Sequence, residues 1–178
     1  MAIKINPRLT KVAGGYGLMS AGLTIIAFLV FYFLDQQPWR NLLSLILDVV
    51  LIGVISFMAT KDFRDNENQG ELRFYHGMTI GFIIYTATAL LFSLFYLLFI
   101  TVIIPDFMEA YYTSMVEFLE SRKDFIIANG SEESYQQQVD SLKDVTATGL
   151  ALDAFGKKII SGLFLAPVFS IILRTRQR

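Results

Sequence analysis

The feature that most constrains this chain is the length of its uncharged apolar runs. Val12 to Leu34 contains 23 consecutive residues without a charged side chain, and a helix needs about 20 predominantly apolar residues to cross a bilayer core. Gly77 to Ile104 is a second run of this kind, with 28 uncharged residues. Hydrophobic residues make up 54% of the 178 residues and charged residues 17%. These runs predict an all-α membrane protein that forms a single domain over residues 1–178.

Two further segments bring the predicted number of spans to four. Asn41 to Thr60 is interrupted by one acidic residue, Asp48, and Ile159 to Leu173 is the shortest candidate, with 15 residues. We expect this last segment to span only if the basic residues that flank it extend to the membrane surface, namely Lys157, Lys158 and Arg174. The first run is too long for the apolar part of a secretory signal, and no small-residue cleavage site follows it. We therefore interpret it as a retained first helix.

Lysine and arginine residues are concentrated in the connections on one side of the predicted spans. Because basic residues accumulate on the cytoplasmic side of membrane proteins, we predict that both termini and the inner loop 61–76 are cytoplasmic. The nine of the 15 basic residues that support this orientation are Lys4, Arg8, Lys11, Lys61, Arg64, Arg73, Arg174, Arg176 and Arg178.

The connection 105–155 has a different composition. It carries ten acidic and three basic residues, a net charge of -7. We predict that a helix begins at Asp106, whose side chain caps it with Glu109 three residues later, and that it continues to Gly130. Ser131 is then placed to cap a second, more weakly amphipathic helix. The apolar residues of the first helix recur at helical spacing: Met108, Tyr112, Met115, Leu119 and Ile126. The pattern predicts an amphipathic helical hairpin on the extracytoplasmic side, or one long interfacial helix with a shorter partner.

Several segments resemble a known family. The stretches "RDNENQGELRFYHGMTIGF", "IIPDF" and "SGLFLAPVFSIILRTR" are similar to those of small bacterial inner-membrane proteins, mainly from Bacteroidota, grouped as domain of unknown function number four-one-nine-nine. The resemblance implies four spans, an extracytoplasmic helical segment between the third and fourth spans, and an inner-membrane location. It implies no particular reaction. The matching positions are Arg64, Gly70, Phe74, Gly77, Gly81, Pro105, Asp106 and Ser170.

Asp48 is the most unusual residue within the predicted spans. An ionised carboxylate that faces lipid costs at least about 2.5 to 3.5 kcal/mol, so we expect Asp48 to face the other helices. One interpretation is a proton or cation relay, or a point that binds a substrate head group; the other is a polar residue that sets helix register. We favour the second, because a relay normally needs another titrating group. The candidate partners at similar depth are Ser44, Ser93, Tyr96 and Lys158.

Small residues recur four positions apart in three of the predicted spans. Such pairs let helix backbones approach closely in lipid, and we interpret them as packing within one bundle. The pairs are Gly17 with Ala21, Gly77 with Gly81, and Gly162 with Ala166. The chain has no cysteine and one histidine, His76, so we expect no metal site, no haem and no other cofactor.

Three functional hypotheses follow from these features. The first is a non-catalytic accessory or scaffold subunit that lies in the bilayer and binds a protein partner through the hairpin 105–155 or the inner loop 61–76. The second is a small oligomeric transporter or channel that uses Asp48. The third, ranked lowest, is an enzyme acting on lipid-linked substrates, because Asp48 and Asp106 offer no matched acid and base. We therefore predict a non-enzyme that binds no nucleic acid, and a homo-oligomer is compatible with the first two hypotheses.

Overall fold

The computed structural model describes residues 6–175, and the regular structure within that range is helical throughout. Lys4, Arg176 and Arg178, which contributed to the predicted orientation, lie outside the described residues. The prediction of an all-α chain is confirmed. The seven α-helices are α1 Pro7–Phe33, α2 Leu42–Asp62, α3 Phe74–Leu98, α4 Phe107–Glu120, α5 Lys123–Asn129, α6 Glu132–Ser141 and α7 Ala147–Ile172. π-Helical turns extend α2 over Phe63–Glu67 and α3 over Phe99–Ile103, and a 3-10 turn extends α6 over Leu142–Asp144.

Four helical segments of the described chain are long and apolar enough to cross a membrane: Pro7–Phe33, Leu42–Glu67, Phe74–Ile103 and Ala147–Ile172. The predicted number of spans is confirmed, and the chain is a multi-pass membrane protein. The fourth span differs from its prediction, because α7 begins at Ala147 rather than at Ile159. Its 26 residues reach about 39 Å at 1.5 Å per residue. The last turns of the predicted connection 105–155 therefore belong to this helix.

The chain forms two compact units, and α3 and α7 each contribute to both. The first unit contains the chain up to Ser93 and from Ala154 onward, and the second is Leu94–Asp153. The first unit therefore holds α1, α2 and the larger parts of α3 and α7.

Within the first unit, α3 and α7 pack in antiparallel register through small residues. A Cβ atom added to Gly77 would lie 2.5 Å from Ser170 Oγ, and one added to Gly81 would lie 2.6 Å from Ala166 Cβ. One added to Gly162 would overlap the Tyr85 side chain. These contacts step by four residues along both helices in opposite directions. Glycine is therefore required where the two backbones approach most closely.

The other spans pack on this pair in alternating directions. α2 runs parallel to α7, since Gly53 lies against Leu165 and Phe169 while the Phe57 ring is 5.9 Å from that of Phe169. α1 lies against α3, where a Cβ atom added to Gly17 would be 3.0 Å from Ala87 Cβ. Ala21, four residues after Gly17, is also buried.

The two ends of the described chain lie at the same end of the first unit. Leu9 from the start of α1 and Leu173 after α7 share one apolar cluster with Phe63 and Leu72 from the α2–α3 connection. Thr175 also binds this connection. Its amide donates to the Leu72 carbonyl (3.0 Å), and its hydroxyl accepts from the Leu72 amide (2.9 Å) and donates to the carbonyl of Gly70 (2.9 Å). We call these contacts the Thr175 clamp.

The second unit contains a helical hairpin in which α4 packs against α6 and α5 lies between them in the chain. Phe107, Leu119 and Tyr135 are buried in this unit. α5 ends before Gly130, as predicted, and Ser131 caps α6 by accepting from the amide of Ser134 at 3.1 Å.

Two details of the predicted hairpin are wrong. Asp106 occupies the N-cap position of α4, but its side chain makes no capping hydrogen bond. The first helix also does not continue to Gly130, because it ends at Glu120 and α5 begins at Lys123. The Ser121 hydroxyl donates to the carbonyl of Phe118 at 2.8 Å. Ser114 makes the same hydrogen bond to Tyr111 within α4 without ending the helix, so this bond alone does not explain the break.

Candidate functional site

An ion pair in the first unit joins two of the spans. The Lys158 ammonium donates to Oδ2 of Asp48. Asp48 lies on the second turn of α2 and Lys158 lies near the middle of α7. The Lys158 side chain is 4% exposed and that of Asp48 is 23% exposed. Because a buried charge is tolerated when an opposite charge meets it, each residue accounts for the presence of the other.

Aromatic rings of the other two spans complete the surroundings of Lys158. Its ammonium lies 3.8 Å from the centroid of the Phe92 ring on α3, a cation–π contact that is strongest when desolvated. The Phe28 ring of α1 meets Phe92 edge-on, with centroids 5.8 Å apart. All four spans therefore contribute a side chain to this point, which we call the four-span contact: Phe28, Asp48, Phe92 and Lys158.

The register of α3 and α7 accounts for the position of Lys158. Ala89 is four residues after Tyr85 on α3, and Lys158 is four residues before Gly162 on α7. The antiparallel register therefore places Ala89 and Lys158 at the same level. Ala89 is completely buried, so its small side chain leaves room for the lysine stem at this level. The sequence analysis named Lys158 both as a residue that would extend to the membrane surface and as a candidate partner of Asp48; the first is wrong and the second is confirmed. The close packing of the two helices brings it into the bundle instead.

The structure brings together two of the five residues predicted for a polar site, Asp48 and Lys158. Ser44, one turn before Asp48, is half-buried. The Ser93 hydroxyl is buried and has no hydrogen-bond partner among residues 6–175, so it does not join the pair. Tyr96 belongs to the second unit, where its buried ring meets that of Phe107 at 5.9 Å.

The sequence analysis missed both aromatic members of the four-span contact, Phe28 and Phe92, and of these it is Phe92 that contacts Lys158. Its position is three residues after Ala89, on the same face of α3. The spacing of Gly77, Gly81 and Gly162 contains the information needed to find it, but only after α3 and α7 are known to be antiparallel partners.

The four-span contact holds two opposite charges close together in an apolar environment. In this state Asp48 and Lys158 carry no net charge, which lowers the cost of placing them among the spans. Within the pair, the Asp48 side chain keeps 23% of its surface exposed. The arrangement can fix the helices in register, and it can also exchange a proton or cation if the pair separates.

Residues 15–175 match the model of a family described as "Protein of unknown function (DUF4199)". No curated protein and no solved structure matches the chain.

Proposed function

Because the chain belongs to the DUF4199 family of proteins of unknown function, we propose a function from its own geometry: it is a non-catalytic accessory or scaffold subunit of the bacterial inner membrane. The single observation that carries this proposal is the four-span contact. Lys158 pairs with Asp48 and stacks on Phe92, so the charges within the spans serve to hold helices together. A bundle joined in this way is suited to anchor other parts of the chain at the membrane.

The part anchored in this way is the second unit, which we place outside the cytoplasm as an extracytoplasmic hairpin. Its α6 helix buries Tyr135, whereas Glu132, Glu133, Gln137 and Asp140 are exposed. The orientation rests on the basic residues at the opposite connections, six of which are described: Arg8, Lys11, Lys61, Arg64, Arg73 and Arg174. In this proposal a protein partner binds the exposed side of α6, and the inner loop 61–76 is the alternative docking point.

Photo-crosslinking tests the proposed partner. A photoreactive amino acid is placed at Gln137 on α6 and, separately, at Glu71 in the inner loop, both of which are exposed. We expect a discrete protein adduct from Gln137 in intact cells. An adduct from Glu71 alone would move the docking point to the cytoplasm. If both positions capture lipid and the protein itself and nothing else, the scaffold function is contradicted.

A small oligomeric transporter or channel is the second candidate, and one observation favours it. Ionisable residues within spans mark many ion and substrate pathways, and Asp48 keeps 23% of its side chain exposed while paired. The test is flux through liposomes that contain the purified protein and, in parallel, its Asp48→Asn variant. Loss of flux in a variant that still assembles supports transport, and absence of flux from the unmodified protein removes this candidate.

A further inference from the structure

α5 carries apolar side chains that the second unit leaves uncovered. Phe125 is 70% exposed, although Leu119 and Tyr135 of the neighbouring helices are buried. Ile126 and Ile127 follow Phe125 and are half-buried. Phe125 is therefore an exposed aromatic side chain followed by two partly exposed aliphatic ones, a surface that can contact an apolar environment outside the unit.

The same segment contains two of the three basic residues of the connection 105–155. The Arg122 guanidinium lies 4.3 Å above the Phe118 ring, and Arg122 is exposed. Lys123 pairs with Glu132 at 3.2 Å and lies 4.9 Å from the Tyr135 ring, which ties α5 to α6. Residues 121–129 thus contain two basic residues and one acidic residue, whereas the rest of the connection contains one basic and nine acidic residues. The exposed apolar residues therefore coincide with the least acidic part of the unit.

We infer that this edge of the second unit docks on the bilayer that the chain itself crosses. We define the α5 edge as Arg122, Lys123, Phe125, Ile126 and Ile127. Phe125 inserts at the boundary between head groups and acyl chains, and the Arg122 guanidinium binds a lipid phosphate. Aromatic and aliphatic side chains beside basic residues are typical of helices that lie in this boundary. A guanidinium binds phosphate through paired hydrogen bonds, and stacking on Phe118 holds its plane in one orientation.

Chain connectivity favours the bilayer over a protein as the occupant. The second unit continues directly into the first at both ends, within α3 and within α7, so the bilayer is always present at high effective concentration. Charge selects the side of the unit that faces the bilayer, since anionic head groups attract the α5 edge and repel the acidic remainder of the unit. The inference requires neither the proposed partner nor the proposed orientation.

Tryptophan fluorescence of the full-length protein in lipid vesicles tests the inference. The native Trp39 is replaced by phenylalanine, and Phe125→Trp is introduced into that background. The matched control is Gln137→Trp on α6 in the same background. In vesicles of phosphatidylcholine and phosphatidylglycerol, we expect the emission from position 125 to lie further to the blue than that from position 137. We also expect lipids with brominated acyl chains to quench position 125 and not position 137.

A charge substitution tests the role of the guanidinium. Arg122→Glu in the Phe125→Trp background is expected to reduce the quenching, whereas Lys143→Glu, the same change elsewhere in the connection, is expected to leave it unchanged. Phe125 is exposed, so its replacement by tryptophan leaves the core intact, and circular dichroism confirms that each variant retains its helices. Emission from position 125 that matches position 137 overturns the inference by placing the edge in water. Blue emission without quenching also overturns it, because protein then covers the edge. Neither result affects crosslinking from Gln137.

Discussion

At the scale of single residues, Asp48 and Lys158 are charged residues within the spans, and each lowers the free-energy cost of burying the other. Removing a charge from water into an apolar interior costs several kcal/mol, by order of magnitude, and an opposite charge in contact offsets much of it. Lys158 gains a further attraction from the Phe92 ring at 3.8 Å. The pair therefore contributes more to the choice of helix partners than to net stability.

Single and double substitutions at this pair have different expected effects. We expect Asp48→Leu or Lys158→Met to destabilise the protein by about 3 to 5 kcal/mol, because each leaves a buried polar group without its partner. The double variant Asp48→Leu with Lys158→Met replaces both charges by apolar groups and should recover most of that loss. Thermal unfolding in detergent measures all three variants. Additive effects would show that the two side chains do not interact.

The contact of α3 with α7 depends on the absence of one atom at Gly162. A Cβ atom added to Gly162 would overlap the Cβ atom of Tyr85. Rotation of the Tyr85 side chain cannot move this atom away. We expect Gly162→Ala to cost at least about 1 to 3 kcal/mol, the usual range for overpacking. Gly156 of the same helix has no atom within 4 Å of its added Cβ, so Gly156→Ala is the matched control. Equal thermal stability of the two variants would contradict the register described here.

At the scale of elements, α7 shows that a helix can continue through charged residues at which a hydropathy-based prediction stops. Asp153, Lys157 and Lys158 interrupt the apolar run in the sequence, so the predicted span began at Ile159. In the structure the helix begins at Ala147, where the Thr146 hydroxyl accepts from the amide of Gly149 at 3.1 Å, and Lys158 pairs with Asp48 on another helix. Hydropathy along one segment records a charge but not the partner that neutralises it.

The Thr175 clamp links the end of the described chain to the α2–α3 connection, and a methyl for hydroxyl exchange tests it. Thr175→Val removes two hydrogen bonds, to Leu72 and Gly70, each worth about 0.5 to 1.5 kcal/mol. We expect faster hydrogen exchange at the Leu72 amide in this variant. Thr175→Ser retains the hydroxyl and should exchange at the original rate. Identical exchange in the two variants would exclude the clamp.

The first turn of α6 depends on Ser131. Its hydroxyl accepts from the amide of Ser134, and loss of such a cap typically costs about 1 kcal/mol. Ser131→Ala should therefore increase amide exchange at residues 132–135. Ser141→Ala serves as the control, since that hydroxyl donates to the Gln138 carbonyl at the other end of the helix. A similar increase in the control would show that the cap is unimportant.

At the scale of the whole molecule, four spans return the chain to the side on which it began. The cluster of Leu9, Phe63, Leu72 and Leu173 agrees with this count, because it places both ends of the described chain beside the α2–α3 connection. The basic residues at this end support a cytoplasmic position for it.

Cysteine labelling tests that orientation. The chain contains no cysteine, so any label on it reports the introduced thiol. Gln137→Cys and Glu71→Cys each introduce one exposed thiol, the first in α6 and the second in the inner loop. With a membrane-impermeant maleimide and a permeabilised outer membrane, we expect Gln137→Cys to react in intact cells. Glu71→Cys should react only after the inner membrane is broken. The reverse pattern would invert the proposed orientation.

The sequence by itself determined that the chain lies in a membrane, that it is helical, how many spans it has and which glycines pack closely. Each of these depends on composition or on spacing within one segment. It also identified Gly130 and Ser131 as the boundary between α5 and α6. Only the tertiary structure decided that Lys158 meets Asp48 and that the Phe92 ring contacts the Lys158 ammonium. Both outcomes depend on contacts between residues that are more than 60 positions apart in the sequence. No local pattern encodes them, because the energy of a charge in an apolar environment is set by what the other helices place beside it.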